Sequence, residues 1–299
     1  MKNKKRLWGS LAGVVVVLAV LAVVVGQLTQ QKQNNATRKP VVAVSLDFYG
    51  EMARTVGGKH AVVQTAISST KIDPHDYEPT PSVAKKYAGA AIIVSNGAGY
   101  DTWSTQFAKQ NKKATAVTVA NLVGYKPGEN EHLWFKPGAA TKLVQAMART
   151  LSQQNPKDKQ YYHERANRYL AKLATLTQAQ QDAKAKLKNV RYLATEPVYD
   201  NTLQQLGASE ALPDFAEAVE EENDPTTGDI QQWHTLIQKH QVAFVINNPQ
   251  NSSRVVKQAV AYAKKHNIPV INVTETKPAG ETYIQWQKQT LAKVLASLK

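Results

Sequence analysis

The chain contains no cysteine. Disulfide staples, thiolate metal ligands and a cysteine nucleophile are therefore excluded, and so is a tether made by lipid on an N-terminal cysteine. At 299 residues the chain is long enough for two domains of ordinary size, each stable on its own core. Acidic residues are also short, 23 against 37 basic, for a formal net charge of +14. Four of the basic residues (Lys2, Lys4, Lys5 and Arg6) precede residue 7, so the remainder carries 33 against 23, an excess of +10. Lysines are scattered through Lys157–Lys188 and the C-terminal segment without interleaved aromatics. That pattern argues against a nucleic-acid partner and suits anionic lipids or wall polymers outside a cell.

Charge is absent altogether from Leu7 to about Leu28. A bilayer crossing needs roughly 20 apolar residues, and a secretory core is usually shorter, about 7–15. No Ala-x-Ala pattern closes the run, with Val25-Gly26-Gln27 a poor substitute. Residues 1–29 are therefore expected to form a membrane anchor, with a cleaved signal segment as the alternative. The basic flank places the N-terminus in the cytoplasm and residues 30–299 outside. Residues 30–39 read as a polar linker.

Beyond the linker, apolar strand-like runs alternate with helical spacing. Val41–Ser45, Ala61–Ile67, Ala91–Ser95 and Ala114–Val119 read as strands, with helices over Phe48–Val56, Pro81–Ala88 and from about Asp101. Lys142–Leu151 is helical, and Pro156 to about Leu187 has no internal Pro or Gly. Its leucines do not keep strict heptads, so a connecting rod is expected rather than a coiled-coil strand. The alternation then restarts: strands at Val190–Ala194, Val242–Asn247 and Val270–Val273, helices at Tyr199–Leu206, Ser252–His266 and Glu281–Leu298. The expected fold class is α/β, with two lobes, 40–150 and 190–299, of mainly parallel sheet, joined by one long helix over 151–189. Ligands of open α/β sheets bind beyond the carboxyl ends of strands, here between the lobes.

One such loop is Asp73-Pro74-His75-Asp76-Tyr77-Glu78-Pro79-Thr80-Pro81. Three prolines stiffen it, which holds His75 in place before a ligand arrives. His132 lies in Asn130-Glu131-His132-Leu133-Trp134. Glu196 follows a strand in Thr195-Glu196-Pro197, and Glu275 follows another in Thr274-Glu275-Thr276. Each has a plainer reading: His132 as a buried histidine beside Trp134, Glu196 as a helix-start carboxylate, Glu275 as a solvated loop residue. Together, two imidazoles from the first lobe and two carboxylates from the second can enclose a divalent first-row ion at the interlobe cleft.

The Asp-Pro-His-x-Tyr-Glu-Pro-x-Pro loop, the Asn-x-His-Leu-Trp segment, the long central helix and the repeated lobes resemble the cluster A-I metal-binding receptors of bacterial ABC importers. The resemblance covers Val41 to Leu298. Thr195-Glu196-Pro197, Asn248-Pro249-Gln250, and Thr274-Glu275-Thr276 with Pro278, Tyr283 and Trp286 resemble its zinc-binding branch. It implies that His75 and His132 are the first-lobe ligands, that Glu196 matches the third ligand position, and that Glu275 falls near the fourth, usually aspartate. It further implies a monomeric extracellular receptor that captures Zn²⁺ or Mn²⁺ as transported ligand and delivers it to an ABC permease. The carboxylates lean towards manganese and the branch towards zinc, and zinc is placed ahead. Two family traits are missing: a His-rich stretch within Gly124–Glu129, and the lipoprotein cysteine. A secreted metallohydrolase is the rival reading, but the chain has no His-Glu-x-x-His helix and offers no evident general base, so no enzyme is expected. Surface adhesion is a third reading, without a sequence module to support it.

Overall fold

The computed structural model describes residues 39–70, 72 and 74–298. The anchor-or-signal segment 1–29 and the linker up to residue 38 lie outside the described residues. Among the described residues no helix is long and apolar enough to cross a membrane.

Two four-stranded parallel sheets carry the architecture. In the first, β1 (Val41–Leu46) lies between β2 (Val62–Ile67) and β3 (Ile92–Ser95), with β4 (Thr115–Thr118) outside β3. β3 is buried along its whole length, which is why it reads as an unbroken apolar run rather than an alternation. β2 is an edge strand and half-exposed, and its Gln64 and Thr65 interrupt the apolar pattern. In the second sheet β5 (Arg191–Ala194) lies between β6 (Ser209–Glu210) and β7 (Val245–Asn247), with β8 (Val270–Asn272) outside β7. The strand order is the same in both, so the second half repeats the first.

The helices of the first half are α1 (Asp47–Gly57), α2 (Pro81–Ala88), α3 (Thr102–Gln110), α4 (Val119–Val123) and α5 (Ala139–Gln154). α2 starts where its sequence dictates: Pro81 is at the first turn and the Thr80 hydroxyl accepts from Val83 N–H at 3.4 Å. α1 stops at Gly58, whose φ of +50° favours glycine. A Cβ there would also sit 2.2 Å from the Tyr161 hydroxyl.

α6 (Lys159–Leu187) runs 29 residues, about 43 Å at roughly 1.5 Å per residue. Its buried positions are Tyr162, Ala166, Tyr169, Leu173, Leu176, Gln180, Ala183 and Leu187. They alternate in steps of four and three, a strict heptad stripe that the leucines alone conceal because tyrosine, alanine and glutamine fill five of its eight positions. The stripe packs on α1 and α5 from the first half and on α11 (Tyr283–Ala296) from the second. α7 (Asp200–Gln205), α8 (Pro213–Glu220), α9 (Thr227–Gln238) and α10 (Arg254–Lys265) complete the second half. Residues 207–241, where the sequence pattern predicts no element, thus hold β6, α8 and α9. α9 begins with a reciprocal cap between Thr226 and Asp229.

An aromatic seam joins the halves. Phe48 lies 5.2 Å from Trp134 and 5.7 Å from Trp286, while Phe135 lies 5.0 Å from both Trp286 and Tyr199. Burying each such ring contributes roughly 1.5–3 kcal/mol. Glu51 of α1 adds a polar tie, accepting from the Tyr169 hydroxyl at 3.0 Å and from Tyr283 N–H at 2.9 Å.

Candidate metal centre

The site is assembled from strand ends and the loops they support. After β3, the Asp101 carboxylate accepts from the N–H groups of Asn96 and Gly97 at 2.7 and 2.8 Å. Burial pushes this carboxyl up to about 6, and those backbone bonds partly offset it. The loop so fixed presents the Asn96 amide, which donates to Glu131 O at 2.9 Å and is oriented by the Tyr49 hydroxyl at 2.6 Å. That places the segment carrying His132.

His132 is fully buried. Asn130 Oδ1 accepts from His132 N–H at 2.8 Å and from Asn201 Nδ2 at 3.0 Å, so the atom is an oxygen. It also lies 3.1 Å from His132 Nδ1, which must therefore carry the ring proton. Nε2 is left with its lone pair and, among the described residues, finds no hydrogen-bond partner. Asn130 Nδ2 donates across the halves to Pro197 O at 2.6 Å. Burial holds the imidazole below its usual value, with the Glu275 carboxylate acting in the opposite direction.

His75 stands at the stiff loop, its ring 5.0 Å from Tyr100 and edge-on to it. Its Nε2 lies 3.3 Å from Glu275 Oε2, and His132 Nε2 lies 3.9 Å from the same oxygen. These three residues offer ligand atoms that are all within 4.8 Å of one another. Ion–ligand bonds of roughly 2.0–2.2 Å set tetrahedral edges of about 3.3–3.6 Å, so the spacing is close to that of an enclosed ion. Glu275 is fully buried and anchored at both oxygens, Oε2 by the Tyr100 hydroxyl at 2.7 Å and Oε1 by Asn248 Nδ2 at 2.6 Å. Burial opposes its charge, but the His75 and His132 rings and Tyr100 together hold the carboxyl below its usual value. Gln250 ties both walls: its Oε1 accepts from Glu275 N–H at 2.7 Å and its Nε2 donates to Ile72 O at 2.9 Å.

Of the four candidate ligands the structure brings together His75, His132 and Glu275. Glu196 is adjacent but differently engaged: Oε1 accepts from Asn251 Nδ2 at 2.6 Å and Oε2 accepts from Asn248 Nδ2. Burial, with the Glu275 carboxylate next, raises it to about 7. Sequence reasoning missed Glu220, the last residue of α8. Its Oε1 lies 3.5 Å from Nε2 of both His75 and His132. Glu220 and His132 form a second compact group with Glu131. Burial and the carboxylates of Glu275, Glu131 and Glu196 push Glu220 up to about 11. The available sequence signal was Pro213 at a helix start followed by Phe215, Ala216 and Val219 on one buried face, with Glu220 at its end.

The family described as ZnuA, zinc-uptake complex component A periplasmic, matches residues 42–296. The metal ABC transporter substrate-binding lipoprotein FimA of Streptococcus parasanguinis is 24% identical over 291 residues, covering 89% of this chain and 91% of its own. The manganese ABC transporter substrate-binding lipoprotein PsaA of Streptococcus pneumoniae is 23% identical over 310 residues, covering 96% and 98%. Among solved structures, the Mn-bound periplasmic metal-binding protein from Candidatus Liberibacter asiaticus shares the fold. Its TM-score is 0.69 at 17% identity, covering 87% of this chain and all of that one. The chain is therefore a member of the ZnuA family of metal ABC transporter substrate-binding proteins.

Proposed function

We propose that the protein captures a divalent metal ion outside the cell, with His75, His132 and Glu275 as its ligands, and hands it to an ABC permease. The observation that carries this reading is the tautomer of His132. A buried imidazole whose Nδ1 proton is claimed by Asn130 aims a bare Nε2 lone pair at a second imidazole and an ionised carboxylate. Among the described residues His132 Nε2 has no hydrogen-bond partner, and a divalent cation held with the other two groups would satisfy it. Zinc is placed ahead of manganese, because two of the three ligands are imidazoles, which suit zinc better than manganese. Family membership supports capture and release rather than catalysis. The chain acts as a monomer, with residues 40–150 and 190–299 as the lobes that supply the ligands and 151–189 as their link. FimA and PsaA are named as lipoproteins. Lacking cysteine, this chain is held at the membrane by the apolar segment Leu7–Leu28.

The test is calorimetric titration of metal-stripped protein with Zn²⁺ and Mn²⁺, followed by competition between them. One ion per chain is expected, with zinc bound more tightly. His75→Ala and His132→Ala should each abolish stoichiometric binding, and unchanged affinity in either would end the assignment.

A further inference from the structure

Two carboxylates from the second half compete for the remaining place beside the ion, and their surroundings differ. Glu196 has a primary-amide donor on each oxygen, from Asn248 and Asn251. It belongs to neither compact group of ligand atoms. Glu220 stands 3.5 Å from both imidazole Nε2 atoms, its side chain nine-tenths buried. Among the described residues no N–H or O–H group donates to either of its oxygens. A carboxyl removed from water without donors ionises only where a cation sits against it. Glu196, held by two amides, is satisfied where it is and, unlike Glu275, offers no oxygen to either compact group.

We infer that Glu220, at the C-terminus of α8, is the further protein ligand of the metal, and that Glu196 is a positioning residue that acts through Asn248. This rests on the metal-receptor reading above. The second role follows from one atom: Asn248 Nδ2 donates both to Glu196 and, at 2.6 Å, to Glu275. Asn248 is fixed in turn, its backbone N–H donating to Thr195 Oγ1 at 3.1 Å and its side-chain Oδ1 accepting from Gln250 N–H at 3.0 Å. Glu196 draws the amide from one side and Glu275 takes its aim from the other. The ligand set thus becomes two imidazoles and two carboxylates, with the second carboxylate supplied from a helix end 24 residues beyond the strand-end glutamate.

Glu220→Gln and Glu196→Gln preserve shape and remove charge. They should be titrated with Zn²⁺ against a competing chelator, alongside wild type and His75→Ala. Glu220→Gln is expected to weaken zinc by more than about 100-fold, and Glu196→Gln by about 10-fold or less, in the range of outer-shell changes. X-ray absorption at the zinc edge should lose one oxygen scatterer in Glu220→Gln and none in Glu196→Gln. An equal or larger loss of affinity in Glu196→Gln, or an unchanged scatterer count in Glu220→Gln, overturns the inference. Should Glu220→Gln fail to melt cooperatively, Glu220→His decides. An imidazole there should keep one zinc per chain while weakening manganese, and loss of both ions counts against Glu220 as a ligand. Wild type that binds no metal, or His75→Ala that binds like wild type, would instead defeat the receptor reading itself.

Discussion

The hydroxyl of Tyr283, the first residue of α11, donates to Trp134 O at 2.5 Å. Both residues are buried, so the last helix of the chain is fastened to the backbone two residues after His132. Removing that hydroxyl strands a buried carbonyl oxygen. Tyr283→Phe is expected to cost about 1–3 kcal/mol, read as a lower urea midpoint with an unchanged slope.

Gly58 carries a second, unrelated constraint. Its φ of +50° and the Tyr161 hydroxyl 2.2 Å from a would-be Cβ leave no room for a side chain. Gly58→Ala should destabilise by more than about 1 kcal/mol, because strain and displacement of Tyr161 add. Tyr161 also accepts from Lys59 N–H at 3.2 Å, so the junction of α1 with α6 loosens too. Native-state hydrogen exchange should reveal faster opening there.

Away from the candidate metal centre, Glu210 of β6 is pushed up to about 10 by burial and by the Asp200 carboxylate beside it. An unfolded glutamate titrates near 4.3, so between roughly pH 4.3 and pH 10 the folded chain holds a proton that the unfolded chain releases. The stability associated with that proton is fully present at the acid end and is lost as pH rises. Glu210→Gln keeps a donor towards Asp200 without the titration. Its Tm should fall less than that of wild type between pH 6 and pH 9.

Metal removal should destabilise the protein by mass action. At a free ion concentration about 1,000 times Kd the bound ion contributes about 4 kcal/mol, so a chelator should lower Tm by several degrees. Acidification to pH 5 should shrink the difference, because both imidazoles must be neutral to bind, although burial keeps His132 neutral to lower pH than usual. His75→Ala should show no chelator response at either pH.

Much of the architecture was legible because it rests on local signals. β-branched runs at Val41 and Ile92 mark strands that are buried on both faces, and Pro81 marks a helix start. The repeat of strand order in two sheets follows from the same alternation occurring twice. His75 and Glu275 were legible as candidates for a related reason: one lies in a proline-framed loop and the other just beyond a strand, where α/β sheets gather ligands, whereas His132 was read from its place beside Trp134. Glu220 was not. It sits in an acidic run with Glu217, Glu221, Glu222 and Asp224, which reads as solvated surface. Only the tertiary fold turns one of those carboxylates inward. Glu196 is the converse case, a strand-end carboxylate whose amide partners, Asn248 and Asn251, arrive from more than 50 residues away. The heptad stripe of α6 was hidden because burial there is shared by alanine, tyrosine and glutamine, whose types carry little hydrophobic signal.

The exposure of the three clustered residues is uneven. Solvent reaches 26% of the His75 side chain and none of His132 or Glu275. For an ion held among them, the side open to solvent would be the one His75 occupies. Swinging His75 out would cut one bond while leaving the deeper ligands in place. On the proposed ligand set, the time an ion stays would be governed from the exposed side of the site, where His75 stands.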